Sequence, residues 1–193
     1  MIVDERIVTF INSMETENSR ILENIEREAL DARVPIIRKE MQSFLKVLLL
    51  VKRPMRVLEV GTAVGFSALL MSEYLPESAV ITTIENYEKR IPIARENFRR
   101  AGKEAQITLL EGDAQDVLKT LDEPYDFIFY GCGKGTVYPF SSGCIKTSCA
   151  GRTFGLGQCD AGREHHRIPV LCGTPGSYDP CKDAGIFIRT ETQ

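Results

Sequence analysis

The chain has 193 residues, of which 43% are hydrophobic and 26% charged, with a formal net charge of -3. This composition suits one soluble α/β domain and excludes collagen-like, coiled-coil and wholly disordered chains, as well as a strongly basic nucleic-acid binder. The longest apolar run, residues 44–51, is too short to span a bilayer. Because the start of the chain also lacks a secretory layout, we predict a cytoplasmic location.

Residues 1–50 predict helices, because apolar side chains recur at intervals of three and four residues. The three apolar stripes are Ile7, Phe10, Ile11 and Met14; Ile21, Leu22, Ile25 and Ala29; and Met41, Phe44, Leu45, Leu48 and Leu49. Stripes of this kind indicate the helix faces that pack in a core or in a dimer interface.

From residue 56 the pattern changes to short apolar strands alternating with helices. The strands are predicted at 56–60, 79–84, 106–110 and 125–129, and the helices at 66–74, 87–101 and 114–121. Such alternation implies a parallel sheet with right-handed crossovers. Ligands of parallel sheets bind at the carboxyl ends of the strands.

Three features fall at those strand ends. The first strand runs into Glu59-x-Gly61-x-x-x-Gly65, where glycines permit a tight turn and a close ligand, or serve only the strand-to-helix connection. Glu85 ends the second strand, where a carboxylate can accept the two hydroxyls of a ribose or simply face solvent. Asp113 follows the third strand, where it can contact a ligand or cap a helix.

Together these segments resemble the S-adenosylmethionine-dependent O-methyltransferases related to catechol and caffeoyl-CoA methyltransferases, especially their small bacterial members. The resemblance covers residues 34–130. It is carried by Val34-Pro-Ile-Ile37, residues 57–67, Thr83-Ile-Glu85, Glu111-Gly-Asp-Ala114 and Tyr125-Asp-Phe-Ile-Phe129. It implies an α/β, Rossmann-like class I methyltransferase fold, whose full sheet has seven strands in the order 3-2-1-4-5-7-6.

The resemblance also implies a site for the methionine part of S-adenosylmethionine. Gly61 and Thr62 would line this part, within the turn that runs from Glu59 to Gly65. Ser67 would bond the carboxylate of the methionine.

The remaining implied contacts lie further along the chain. Glu85 would hold the ribose, Asp113 and Ala114 would flank the adenine, and Ile37 would contact the cofactor from the entering helix. In the family, a divalent metal such as Mg²⁺ holds two adjacent oxygens of the acceptor, and a Lys takes the hydroxyl proton. Lys134 aligns with that Lys, although an exposed loop Lys explains it equally well.

The resemblance stops at residue 130, where the composition also changes. All six Cys and eleven of the 15 Gly follow Phe129, but only two of the 16 Leu do. The family continues with Asp-Ala-Ala-Lys-Gly-Gln-Tyr and later Pro-Gly-Gly and Asp-Asn, which supply the metal ligands. Here Gly131 replaces the first Asp, and Gly157 and Gln158 stand near the later pair. We therefore expect lost metal ligands, strands five to seven lost or degraded, and strand four as a sheet edge.

A shifted reading frame accounts for this change. Removing one T from plausible codons for residues 129–137 (TTT TAT GGA TGC GGC AAA GGG ACA GTA) restores Phe-Met-Asp-Ala-Ala-Lys-Gly-Gln. The same shift over residues 149–159 permits Ala-Pro-Gly-Gly-Leu-Leu-Val-Ser-Asp-Asn-Val. Because each shifted codon keeps two bases of the original, two such long matches are not expected by chance. We hypothesise a one-base insertion at codon 130.

The cysteines admit two other interpretations. Disulfides conflict with a cytoplasmic chain, where thiols stay reduced. A zinc site conflicts with the absence of any C-x-x-C pair and with the adjacency of His165 and His166.

We accordingly divide the chain into N-terminal helices (1–50), a cofactor-binding half-domain (51–130) and an aberrant Cys- and Gly-rich tail (131–193). The expected activity is S-adenosylmethionine-dependent O-methylation with metal assistance in the intact family, impaired or absent in this chain. The acceptor is a small-molecule hydroxyl or, alternatively, a hydroxylated uridine of tRNA, which the net charge does not favour. A non-catalytic cofactor-binding remnant is the third possibility, and the intact family implies a homodimer and no membrane contact.

Overall fold

The computed structural model describes residues 16–132 and 154–159, together with the separate positions 6, 9, 10 and 13. Its helices are α1 (Arg20–Asp31), α2 (Lys39–Lys52), α3 (Phe66–Tyr74), α4 (Ile91–Arg100) and α5 (Ala114–Thr120). Its strands are β1 (Arg56–Val60), β2 (Val80–Glu85), β3 (Ile107–Glu111), β4 (Phe127–Cys132) and β5 (Phe154–Cys159). Lys134 and, apart from Phe10, the first predicted apolar stripe lie outside the described residues.

The strands form one parallel sheet in the order β3-β2-β1-β4-β5, which confirms the predicted α/β fold. β1 lies between β2 and β4, so that Val60 pairs with Ile84 on one side and Tyr130 on the other. β2 and β3 lie on one side of β1, whereas β4 and β5 lie on the other, so the order of the strands reverses at β1. Such a reversal opens a crevice at the carboxyl ends of the strands, where ligands bind.

β4 and β5 differ from the sequence-based expectation. β4 begins two residues later and ends three residues later than predicted, at Phe127 and Cys132. The expectation that β4 is an edge without a fifth strand is wrong for this part of the sheet, because β5 pairs with it along its whole length, from Phe127 with Phe154 to Cys132 with Cys159. A parallel ladder needs only backbone N–H and C=O groups, and residues 154–159 contain no proline.

Helices cover both faces of the sheet. The main core lies on the face of α1 to α4, and a second cluster lies under α5. β1 shows the alternation that this requires, since Val57 belongs to the main core whereas Leu58 and Val60 belong to the second cluster. Glu59 therefore projects to the same face as Val57.

The helices begin and end for local reasons. Ser19 caps α1 by accepting the N–H of Leu22, and the predicted second stripe is buried at Leu22, Ile25 and Ala29. α2 ends at Arg53 in the left-handed conformation. Within the described part of the chain, no helix is both long and apolar enough to cross a bilayer.

Gly65, the residue before α3, is required by both its backbone and its surroundings. Its φ is 85°, and a Cβ built there would lie 2.5 Å from Cε1 of Phe98 on α4. Left-handed backbone costs an L-residue about 1–2 kcal/mol, and overpacking a core adds about 1–3 kcal/mol.

We predict that Gly65→Ala lowers the free energy of unfolding by about 2–5 kcal/mol, measured by urea denaturation. Gly102→Ala is the matched control, because Gly102 has a φ of 64° but nothing within 4 Å of the added Cβ. The control should lower it by only about 1–2 kcal/mol. Equal losses of unfolding free energy in the two variants would show that the contact of the added Cβ with Phe98 is not destabilising.

Candidate functional site

The turn between β1 and α3 is held against the end of β2. The N–H groups of Gly61 and Thr62 both donate to the carbonyl of Ile84, at 2.9 and 3.2 Å. Gly61 and Ala63 have φ values of 87° and 51°, so the turn depends on left-handed backbone at two closely spaced positions. The turn thus lies at the carboxyl ends of the two central strands, as the sequence predicted.

Glu59 is fully buried beneath this turn. Its Oε1 accepts a 2.5 Å hydrogen bond from Ser67 Oγ on α3, and its Oε2 accepts a 2.5 Å bond from Thr83 Oγ1 on β2. One carboxylate therefore joins β1, β2 and the first turn of α3. The predicted contact of Ser67 with a ligand stays a prediction, because in this structure its hydroxyl proton goes to Glu59.

Burial raises the pKa of Glu59 above its ordinary value of 4.5, because a low-dielectric interior disfavours the charged carboxylate. Hydrogen bonds from Ser67 and Thr83, and the nearby Thr62 hydroxyl, act in the opposite direction. The adjacent carboxylate of Glu85 raises the pKa further.

Glu85 is buried at the end of β2 and is ordered by backbone donors. Its Oε2 accepts the N–H of Ala63 at 2.7 Å, and its Oε1 accepts those of Asn86 and Tyr87 at 3.0 and 2.9 Å. Each carboxylate oxygen has two lone pairs, so Oε1 is fully used by its two donors, whereas Oε2 retains capacity for one further donor such as a hydroxyl. Glu85 is thereby fixed beside the glycine turn.

The end of β3 adjoins this group. The N–H of Gly112 donates to the Glu85 carbonyl at 3.0 Å, which places residues 112–114 next to the end of β2. The exposed Asp113 caps α5 by accepting the N–H of Gln115 at 2.8 Å, so the helix-capping interpretation holds for this residue. Ala114 is buried in the second cluster.

Two features of the turn fit a ligand. Thr62 Oγ1 is buried and, among the described residues, has no hydrogen-bond partner of normal geometry. A buried hydroxyl without a partner costs free energy until something pairs with it. The first N–H groups of α3, including that of Ser67, have no partners within the helix and favour an anionic group.

Of the other predicted residues, Lys134 lies outside the described part of the chain. Ile37 is buried in the main core, and its carbonyl accepts Gln42 Nε2 at 3.1 Å. Sequence reasoning missed Thr83 and the buried Asn97, whose Nδ2 donates to the Val64 carbonyl at 2.8 Å. A polar residue inside an apolar strand was the signal available for Thr83.

The end of β4 faces the same crevice and carries Gly131 and Cys132. A Cβ built on Gly131 would lie 2.5 Å from the carbonyl oxygen of Gly61. No side chain therefore fits at residue 131 unless the glycine turn moves. Within the described residues, no three His, Cys, Asp or Glu side chains come together as a metal site, so these residues do not fit a divalent cation.

Glu59→Gln tests the buried carboxylate through its pH dependence. A raised pKa means that the folded state holds the proton more tightly than the unfolded chain does. The contribution of Glu59 to stability is therefore greatest below pH 4.5 and falls as the pH rises through the raised pKa.

We expect the unfolding free energy of the native chain, relative to Glu59→Gln, to fall as the pH rises above 4.5. Denaturation curves of both proteins across this range measure it, and groups common to the two proteins cancel. If the difference in unfolding free energy between the native chain and Glu59→Gln stays constant or rises with pH, the buried carboxylate is not destabilised by its surroundings.

Comparisons with known proteins agree with this geometry. The family model described as O-methyltransferase matches residues 12–158. A catechol O-methyltransferase of Niastella koreensis is 30% identical over 112 residues, which are 56% of this chain and 51% of that protein. The chain thus spans about half the length of this curated relative.

Solved structures of the same family superpose on the chain. The O-methyltransferase from Bacillus cereus in complex with SAH has a TM-score of 0.59 at 26% identity, covering 65% of this chain and 60% of that one. The SAH-bound methyltransferase PaMTH1 of Podospora anserina has a TM-score of 0.61 at 28% identity, covering 66% and 56%. Since the family model matches well over half of its residues, this chain belongs to the O-methyltransferase family.

Proposed function

We propose that this chain binds S-adenosylmethionine at the carboxyl ends of β1, β2 and β3. The observation that carries the proposal is the convergence of the Gly61 turn, the buried hydroxyl of Thr62 and the ordered carboxylate of Glu85. Two relatives of similar fold hold SAH, the demethylated form of this cofactor. The site combines an acidic group for hydroxyls with free backbone donors for a carboxylate.

Each residue then has a defined task. Glu85 would hold the ribose by accepting a hydroxyl at Oε2, and the N–H groups at the start of α3 would receive the methionine carboxylate. Thr62 would line the methionine part of the ligand. Glu59 would act indirectly by fixing Ser67 and Thr83. Asp113 and Ala114 would lie near the adenine, and Ile37 would approach from the segment before α2.

The reaction of the family is methyl transfer to an oxygen. The acceptor oxygen, having given up its proton, would form a bond to the methyl carbon of S-adenosylmethionine as the bond from that carbon to the positively charged sulfur breaks, which leaves SAH. The contribution of a protein to such a step is mainly orientation of the two reactants and compensation of charge. We propose a hydroxyl-bearing small molecule as the acceptor, in preference to tRNA, since the net charge of -3 offers little attraction for phosphates.

We further propose that transfer is impaired in this chain although cofactor binding persists. The cofactor contacts come from residues before 115, whereas the end of β4 carries Gly131 pressed against Gly61. A metal clamp needs hard oxygen ligands at this end of the sheet. Lys134 is the proposed base. The tail of residues 131–193, which contains it, is proposed to be read out of frame. The acceptor side of the site would be complete only in the intact sequence.

Titration calorimetry with SAH tests the binding proposal. Glu85→Ala should weaken SAH binding at least about tenfold, because hydrogen bonds to a charged acceptor contribute about 1.5–3 kcal/mol. Glu88→Ala, which removes an exposed acid three residues away, should leave binding unchanged. Absence of SAH binding by a folded native chain, or equal affinity for the two variants, would refute the proposed site.

Deleting one T within codons 129–130 tests the frame proposal. The resulting protein should transfer methyl groups from S-adenosylmethionine to a catechol with a requirement for Mg²⁺, and the unedited chain should be slower by about a hundredfold or more. Turnover is followed as SAH release with and without a chelator. Metal-dependent turnover by the unedited chain at the rate of the edited one would show that the tail is functional as it stands.

A further inference from the structure

Asn97 is a buried amide on α4 that faces the glycine turn, and only 3% of its surface is exposed. Its Nδ2 donates to the carbonyl of Val64 at 2.8 Å, and Val64 lies between Ala63 and Gly65, at the last bend before α3. The hydrogen-bond ladder of α3 begins one residue later, where the N–H of Leu69 donates to the Gly65 carbonyl at 3.1 Å. The Asn97 amide therefore satisfies a buried carbonyl that precedes the helix.

The orientation of this amide is fixed from its other side. Arg100, three residues further along α4, donates from Nη1 to the Asn97 Oδ1 at 3.1 Å. The same guanidinium is held by Glu28 of α1, from Nη1 to Oε2 at 2.7 Å and from Nη2 to Oε1 at 2.9 Å. Because a guanidinium can only donate, it selects the amide oxygen of Asn97 and leaves the amide nitrogen for Val64.

The glycine turn needs such contacts because its backbone is unusual. Three of its five residues have a positive φ: Gly61 (87°), Ala63 (51°) and Gly65 (85°). The first half of the turn is held from β2, by the carbonyl of Ile84. The second half is held from α4, where Asn97 binds Val64. The two halves are thus fixed from opposite sides, and a contact from another element is required because local sequence alone favours other conformations.

We propose that Asn97 is a positioning residue for the cofactor, which acts through the Val64 carbonyl and touches no ligand itself. Its amide holds the glycine turn in the arrangement that aims the first N–H groups of α3 at the methionine carboxylate. Glu28 and Arg100 keep the amide in its donating orientation. This proposal rests on the proposed S-adenosylmethionine site. Without the amide donor, a smaller fraction of the chain holds the binding arrangement, and the apparent affinity falls in proportion.

Titration calorimetry of the full chain with SAH tests the proposal. Asn97→Leu keeps the approximate size of the side chain but removes the donor, and it should weaken SAH binding at least about threefold, as expected for one net hydrogen bond. Asn97→Asp keeps an acceptor for Arg100 but sets a carboxylate against the Val64 carbonyl. It should weaken SAH binding by at least as much, whereas a residue that served only to pair with Arg100 would tolerate the change.

Gln106→Leu is the matched control. Gln106 is also a buried amide, whose Nε2 donates to the carbonyl of Pro76 at 3.1 Å and whose Oε1 accepts Lys103 Nζ at 3.1 Å. It lies just before β3, at the opposite end of the sheet from the crevice. The control loses the same kinds of hydrogen bond as Asn97→Leu and should lower the unfolding free energy similarly, but it should leave SAH affinity within about twofold of the native value.

Hydrogen exchange without SAH, followed by mass spectrometry, reports on the turn itself. The N–H groups of Gly61, Thr62 and Ala63 are all hydrogen-bonded in the closed turn. Asn97→Leu should speed their exchange about threefold or more relative to Gln106→Leu, because loss of the donor favours local opening. If Asn97→Leu does not fold, Arg100→Met removes only the orienting cation and should change the exchange rate and the SAH affinity in the same directions.

The outcomes separate this proposal from that for the cofactor site. Native SAH affinity in Asn97→Leu or Asn97→Asp, or an equal loss in Gln106→Leu, would overturn the positioning role. The cofactor site would still stand if Glu85→Ala weakened binding in the same experiment. If the folded native chain does not bind SAH, the cofactor site fails and the positioning role fails with it. In that case faster exchange of the turn in Asn97→Leu would leave Asn97 with a structural role only.

Discussion

The buried carboxylate of Glu59 is the interaction on which the geometry of the site depends. It lies in the central strand of the sheet and takes one hydroxyl from β2 and one from α3, both at 2.5 Å. A carboxylate in this position is costly to bury, and the raised pKa of Glu59 expresses that cost. Its two hydrogen bonds hold β1, the first turn of α3 and β2 in one arrangement.

Local periodicity in the sequence was sufficient for the elements that build this arrangement. β1 and α3 begin and end where the change from alternating to helical spacing places them, and Glu85 terminates β2. The role of Thr83 was not accessible in the same way, because its partner Glu59 lies on another strand. Nor was that of Asp126, whose two oxygens accept the N–H groups of Met55 and Arg56 at the start of β1. Contacts between strands depend on register, which no single segment encodes.

β5 shows that a strand can pair even where we propose that the sequence is out of frame. The residues expected to be out of frame still provide a backbone that pairs with β4 from Phe127 to Cys132. Hydrogen bonding in a sheet uses groups that nearly every residue carries, so pairing tolerates an unrelated sequence. Metal coordination uses particular side chains, so we expect no such tolerance at Gly131, where the resemblance implies an aspartate. The expectation of an unpaired β4 was wrong because it assumed that strand pairing, like metal binding, needs particular side chains.

The same distinction divides the crevice into two unequal halves. On the side of β2 and β3, Glu85, Thr62 and the backbone of the glycine turn supply the groups proposed to face the ligand. These residues lie within the range that the O-methyltransferase family model matches. On the side of β4, the close approach of Gly131 to the Gly61 carbonyl leaves no room for a side chain. On the proposed function, a methyl acceptor meets the cofactor between these halves, and the half formed by β2 and β3 would hold one reactant without orienting the second. Since orientation is most of what a protein contributes to methyl transfer, we expect binding and turnover to separate in this chain.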